Sequence, residues 1–399
     1  MISMPMESTP ATLEEFLRAV RAGPGQSLRL PVRVDRGGVF GFSALAIQTV
    51  LTWARLHDGH RVLNLASSYA TDSSTRTRFA ASPHGMAALY LANAVTCGET
   101  VLSRGDVLAD VAPYVSAMQS LDYRSTVRGT GALLCCFQGA QNEYLSALYS
   151  KQRRGTARTP TVRSLSTLSG VVRDMLDASH VGLGQKIGDA NLEVLSGLVY
   201  QLFNNADIHT VTSVDGDVYS LGLRGIQLRT HRFTGLGEIE RYVRDDHRLA
   251  NYLRKVAVQT SSKASAMAKA PSPRPSTFVE LSVFDSGPGL ALRWLSAKTG
   301  QRQYSEISLA EELESVHKCF SLHSTTQGSG NVGDGLAIAI SAMRQLKAFM
   351  ALRSGRLNLL QDFSSKDHGD FEPQHRFTKK PLLAEIAGAS YTICFPVPQ

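Results

Sequence analysis

The chain has 399 residues, of which 43% are hydrophobic and 19% charged, and its formal net charge is +8. This length exceeds one ordinary hydrophobic core, so two domains are expected, and the mild positive charge favours an anionic partner such as a nucleotide, a nucleic acid or an acidic protein. No stretch reaches the ~18 apolar residues of a membrane span, and the N-terminus does not resemble a signal peptide, so the expected location is cytoplasmic, with no membrane contact.

The first 150 residues alternate helical and extended patterns. This alternation predicts an N-terminal α/β domain over residues 1–150, of unknown role, whose strand–helix–strand opening resembles STAS-like domains. The predicted elements are a helix over 12–22, a strand over 29–34, an amphipathic helix over 43–57, a buried strand over 61–66, helices over 85–95 and 107–121, and a strand over 130–137.

A polar segment separates this region from the rest of the chain. Residues 151–164 include five lysines and arginines and predict a basic linker. Contact with nucleic acid is left open there, but no aromatic residues interleave with the charges, so an exposed connector is favoured. Beyond it the sequence predicts helices over 164–179, 191–210 and 236–256, a flexible Ser/Ala/Pro-rich insertion over 257–276, and a strand over 278–284.

The helix over 191–210 carries two amides at neighbouring turns. Leu195, Leu198 and Leu202 follow the spacing of a core-facing stripe. Gln201 and Asn205 lie four residues apart and therefore share a face. The ordinary explanation of such amides is a solvated surface.

The strand over 278–284 runs directly into Asp-Ser-Gly-Pro-Gly. Asp285, Gly287 and Gly289 are common turn residues, so a plain turn is one interpretation. The alternative is a backbone bent closely around a ligand, with the carboxylate directed into a pocket.

A hydroxyl- and glycine-rich loop precedes an apolar helix near residue 336. Glycines before a helix start allow backbone N–H groups to surround phosphates. Residues 328–333 spell GxGxxG, but no strand precedes them and no acid follows at the ribose-binding position, so a dinucleotide site is not indicated. No GxxxxGK[ST] sequence occurs, which excludes a P-loop.

Together these stretches, with the closing strand YTICFPVP, resemble the GHKL ATPase superfamily of DNA gyrase, the heat-shock chaperone, histidine kinases and MutL. The resemblance covers residues 165–399 and rests on four motifs in the same order. It implies an ATP-binding domain with an α+β Bergerat-type two-layer sandwich. ATP and Mg²⁺ are the implied cofactors.

The resemblance also implies roles for individual residues. Asn205 would hold Mg²⁺ against the triphosphate, and Asp285 would accept a hydrogen bond from the adenine amino group. Gly287 and Gly289 would let the backbone pass beside the base. The lid and the phosphate-facing helix start would be formed by Ser324, Thr325, Thr326, Gly328, Gly330, Gly333, Gly335 and Leu336.

One position departs from the family pattern. ATP-hydrolysing members carry a glutamate base where this chain has Gln201, and an amide cannot accept a proton from water. The expected function is therefore a nucleotide-controlled regulatory switch with slow or absent hydrolysis, acting on a protein partner, with a homodimer left open. The alternatives are an active ATPase or protein kinase of histidine-kinase or anti-sigma type, and an interaction protein with a vestigial pocket.

Overall fold

The computed structural model describes residues 1–398 apart from 8, 33–38, 58, 121, 123–130, 151–159, 245, 266–275, 322–333 and 366–369. Most of the predicted basic linker and the glycine-rich loop therefore lie outside the described residues. Across the described part of the chain, no helix combines the length and apolar character required to cross a membrane.

The N-terminal part contains a five-stranded mixed sheet. Its order is β1-β2-β3-β4-β5, and all neighbours are parallel except β4 and β5. The elements are β1 (Ile2–Ser3), α1 (Pro10–Ala22), β2 (Leu28–Arg29), α2 (Phe42–Leu56), β3 (Val62–Leu65), α3 (Ser68–Thr71), α4 (Ser73–Ala80), α5 (Pro83–Leu91), β4 (Ala94–Cys97), β5 (Thr100–Leu102) and α6 (Arg104–Gln119).

The remaining elements build a seven-stranded sheet, a separate two-stranded sheet, and helices. They are β6 (Gly131–Phe137), β7 (Tyr149–Ser150), β8 (Thr161–Val162), α7 (Leu165–Ser179), α8 (Leu183–Ile187), α9 (Asp189–Thr210), β9 (Leu223–Phe233), α10 (Leu236–Val243), α11 (His247–Ser265), β10 (Ser276–Phe284), α12 (Leu290–Thr299), α13 (Leu309–Cys319), α14 (Gly335–Gln345), β11 (Phe349–Gly355), β12 (Leu357–Asp362), β13 (Gln374–His375) and β14 (Ile386–Pro396). The described part of the chain is thus α/β, with a mixed five-stranded sheet, an antiparallel seven-stranded sheet and the antiparallel pair β7–β8.

Four predicted elements were wrong in their bounds. The helix predicted over 236–256 is two helices, with α10 ending at Val243 and α11 beginning at His247. The strand over 29–34 ends at Arg29, just before Pro31, which has no N–H group to donate to a sheet. The predicted helix over 85–95 ends at Leu91, and its last residues belong to β4. The predicted insertion over 257–276 is helical as far as Ser265, the end of α11, and Ser276 already belongs to β10.

The seven-stranded sheet has the order β13-β12-β11-β14-β10-β9-β6, and each neighbouring pair is antiparallel. The sequence assigned β6 to the N-terminal domain, but this strand pairs with β9 in the sheet of the C-terminal part. A boundary at residue 150 stays a prediction. The strand β6 precedes that residue in sequence but pairs with β9, which follows it.

Helices cover both faces of this antiparallel sheet. On one face, Val279, Leu281 and Val283 of β10 join the cluster that includes apolar residues of α7, α9 and α14. On the other face, Phe278 and Phe349 pack with α10 and α11, and α2 crosses β14. This part of the structure therefore has three layers where the sequence predicted two.

The third layer comes partly from the N-terminal part. Every residue of α2 from Phe42 to Ala54 is buried, so this helix is covered on all sides and is not amphipathic as predicted. A buried ion pair adds to the contact: Arg353 of β11 donates to both carboxylate oxygens of Glu14 in α1, over 2.8 and 3.1 Å. One continuous core therefore joins the two parts of the chain.

Candidate functional site

The helix α9 carries the predicted amides along one side. Leu195, Leu198 and Leu202 are buried, as their spacing predicted, while Gln201 and Asn205 are half-buried. Gln201 lies against the start of α14, since a Cβ built on Gly335 would be 2.9 Å from its Oε1 atom. Within the described residues, neither amide makes a side-chain hydrogen bond.

Asp285 follows the last residue of β10 and is held by the backbone around it. Its N–H donates to the carbonyl of Ala389 over 2.9 Å. Its Oδ1 atom accepts from the N–H groups of Gly287 and Ala389, over 2.7 and 3.3 Å. The side chain is thus fixed through one oxygen, while Oδ2 accepts no hydrogen bond from any residue that the structure describes.

The environment of Asp285 opposes its ionisation. Only 3% of the residue is exposed, and this burial raises the pKa of the carboxyl group to about 6 despite the two N–H donors and the nearby guanidinium groups of Arg55 and Arg293. A buried carboxylate that is incompletely compensated costs stability, and such groups concentrate at functional sites.

Both glycines of the Asp-Ser-Gly-Pro-Gly turn are closely surrounded by protein. A Cβ on Gly287 would lie 2.4 Å from the carbonyl oxygen of His209 at the end of α9. Gly289 has φ +88°, and a Cβ there would lie 2.6 Å from the hydroxyl of Tyr304. The fold itself therefore requires glycine at both positions, independently of any ligand.

The helix α14 begins at Gly335, one residue before the predicted start. The side chain of Leu336 is 7% exposed and belongs to the core, so only its backbone N–H is suited to a ligand. The other predicted lid residues lie outside the described residues: Ser324, Thr325, Thr326, Gly328, Gly330 and Gly333.

The predicted metal site rests on Asn205 alone. No group of three or more histidine, cysteine, aspartate or glutamate side chains in the described ranges could hold a metal ion. Mg²⁺ is commonly bound through few protein ligands together with substrate phosphates and water. The residues present fit Mg²⁺ that arrives with a phosphate ligand, and they do not form a cage of their own.

Tertiary contacts bring two arginines and a tyrosine to the Asp285 turn that the sequence analysis did not single out. Arg55, at the end of α2, lies 3.6 Å from the ring centre of Tyr219 and donates twice to the carbonyl of Leu221. Arg293 of α12 donates to the carbonyls of Thr212 and His209, over 2.6 and 3.3 Å. Arg293 lies one helical turn after the Asp-Ser-Gly-Pro-Gly motif. No local sequence pattern links Arg55 to that motif.

Comparison with known proteins leaves the site to be judged on its geometry. No family model matches the chain, and no curated protein shows significant similarity to it.

Proposed function

We propose that the chain binds adenine nucleotide with Mg²⁺ along α9 and acts as a nucleotide-controlled regulatory switch with slow or absent hydrolysis. The family resemblance of residues 165–399 to the GHKL superfamily is part of this proposal, as is a Bergerat-type arrangement of α7, α9 and α14 on the antiparallel sheet. The nucleotide-bound and nucleotide-free states of the protein would bind a partner with different affinities.

The observation that carries the proposal is the environment of Asp285. Its carboxylate is buried, fixed through Oδ1, and left with Oδ2 as an acceptor without a described donor. An exocyclic amino group of a base is a donor suited to that oxygen, and a charge-assisted hydrogen bond would offset part of the cost of burying the charge. The bond from Gly287 to Oδ1 is the one that an ordinary aspartate turn makes, so the proposal rests on the second oxygen, Oδ2, for which no described residue is a donor.

The position of α9 supports a ligand of nucleotide size. The carbonyl of His209 abuts Gly287 beside Asp285, and Gln201 abuts Gly335 at the start of α14. Gln201 and His209 are eight positions apart on the helix, a rise of roughly 12 Å, and the half-buried Asn205 lies between them. A base at Asp285 would thus place its phosphates near Asn205 and the positive end of α14.

Binding can be tested by calorimetric titration with MgATP and with a non-hydrolysable analogue. Asn205→Ala should abolish binding of both, because it removes the one predicted protein ligand of Mg²⁺. Asn204→Ala is the matched control, since Asn204 is also half-buried on the same helix turn. Equal affinities of the two variants would contradict the metal role, and absence of nucleotide binding by the unaltered protein would overturn the proposal.

Slow turnover follows from Gln201. A positioned general base typically contributes about 10²–10⁴-fold to a rate, and an amide lacks this capacity. Purified protein should therefore release phosphate from ATP very slowly, and Gln201→Glu should accelerate release. Brisk hydrolysis by the unaltered protein, lost in Asn205→Ala and not improved in Gln201→Glu, would favour the active ATPase or kinase instead.

A further inference from the structure

One face of α2 contacts the segments that hold Asp285. Gln48, Thr52 and Arg55 are spaced four and three residues apart, so their side chains lie along the same side of the helix. Gln48 and Thr52 are buried, with 0% and 3% exposure. All three bond to residues of the C-terminal part.

Two of these contacts fix the backbone immediately before Gly388. The side-chain N–H of Gln48 donates to the carbonyl of Ala387 over 3.2 Å, and the hydroxyl of Thr52 accepts from the N–H of Ala387 over 3.0 Å. Both hydrogen-bonding groups of one peptide residue are thus held by α2.

Ala387 leads directly into Gly388 and Ala389, the residues that position the Asp285 carboxylate. Gly388 has φ +77°, and a Cβ there would lie 1.9 Å from the carbonyl oxygen of Asp285. The carbonyl of Ala389 accepts from the backbone N–H of Asp285, and the N–H of Ala389 donates to Oδ1 of the same residue. Displacement of Ala387 would therefore move the donor that orients the carboxylate.

The third contact is made by Arg55 with a different segment near the Asp285 turn. Arg55 binds the carbonyl of Leu221 and stacks on Tyr219, in the segment that links α9 to β9. The same helix packs on α1 and α5 of the N-terminal part. It thereby links the surroundings of the Asp285 turn to helices of the N-terminal part.

We propose that Gln48 and Thr52 of α2 are positioning residues of the base site, and that occupancy of this site is transmitted through α2 to the N-terminal part. This inference rests on the proposed adenine-nucleotide function. Coupling of this kind is reciprocal, so loosening α2 must weaken binding of the base that Asp285 recognises.

Two threonines of α2 provide a matched test. Both hydroxyls donate to the carbonyl four residues earlier over 2.8 Å, but only Thr52 also accepts from Ala387. Thr52→Val should weaken MgATP binding about tenfold, since the half-buried N–H of Ala387 loses its acceptor, while Thr49→Val should change it less than about twofold. Gln48→Met provides a second variant directed at the same residue, should Thr52→Val fold poorly.

The informative readout is preference for ATP over GTP. GTP carries a carbonyl where adenine carries its amino group, so a correctly placed Asp285 should disfavour it. Thr52→Val or Gln48→Met should lower ATP affinity more than GTP affinity and narrow the preference. A loss that is equal for both nucleotides, or an unchanged preference, would overturn the positioning role while leaving nucleotide binding intact.

Transmission to the N-terminal part can be observed through Trp53 of α2. Its side chain is fully buried, and its indole N–H donates to the carbonyl of Gln26 over 3.0 Å. In a Trp294→Phe background it is the sole tryptophan, so MgATP should change its emission saturably, with the same midpoint as calorimetric binding. Binding without any change in emission or in hydrogen exchange over 42–56 would refute transmission. Absence of binding would refute the proposed function itself.

Discussion

Replacement of Asp285 by asparagine should stabilise the nucleotide-free protein at neutral pH while weakening nucleotide binding. Burial raises the pKa of this carboxyl group from 3.8 to about 6. The folded state therefore binds a proton more tightly than the unfolded state. The stability that this provides is complete below pH ~4 and is lost as the pH rises through 6. At 1.36 kcal/mol per pKa unit, the ionised carboxylate costs about 3 kcal/mol at pH 7.

Asparagine retains an acceptor for the N–H groups of Gly287 and Ala389 but does not ionise. Urea unfolding of both proteins across pH 4.5 to 7.5 isolates the effect, because all other titrating groups are common to the pair. The free energy of unfolding of Asp285→Asn relative to the unaltered protein should rise with pH by about 2–3 kcal/mol. A difference that does not vary with pH would refute the inference that the carboxylate is desolvated.

The same variant should bind MgATP about 1–3 kcal/mol less tightly, because a charge-assisted hydrogen bond in a desolvated site is lost. Calorimetry at pH 7.5 measures this. Equal affinity of the two proteins would show that Asp285 does not contact the base, even if the stability prediction holds.

Three further outcomes are expected from the fold. Glu14→Ala should lower the free energy of unfolding by about 3–5 kcal/mol, because it leaves the guanidinium of Arg353 buried without its partner. Arg21→Ala breaks a partly exposed ion pair between α1 and Glu385 and should lower it by less than about 1 kcal/mol. Burial lowers the pKa of His84 to about 4. The free energy of unfolding should therefore fall by about 3 kcal/mol as the pH is lowered from 6.5 to 4, and His84→Leu should not show this decrease. Identical pH profiles of the two proteins in urea unfolding would contradict this. A fragment of residues 165–399 lacks β6 and the α2 cover, so it should not melt cooperatively in circular dichroism.

Local sequence patterns were sufficient for the elements that surround the candidate site. The stripe of Leu195, Leu198 and Leu202 predicted a helix that the structure confirms within two residues at its start. The strand predicted over 278–284 lies within β10, and the closing strand YTICFPVP, named with the family resemblance, overlaps β14. These predictions succeed because the period of burial along a helix or strand is written in consecutive residues.

The sequence by itself also placed Asp285 at a strand end and Gln201 one turn from Asn205, since those relations are local. Only the tertiary structure decided that β6 joins the antiparallel sheet, that α2 is buried on every side, and that Arg55 lies near Asp285 across 230 positions of chain. Strand pairing and the pKa of a buried group depend on which segments, distant in sequence, pack against each other and exclude water. Local sequence periodicity carries no information about that packing.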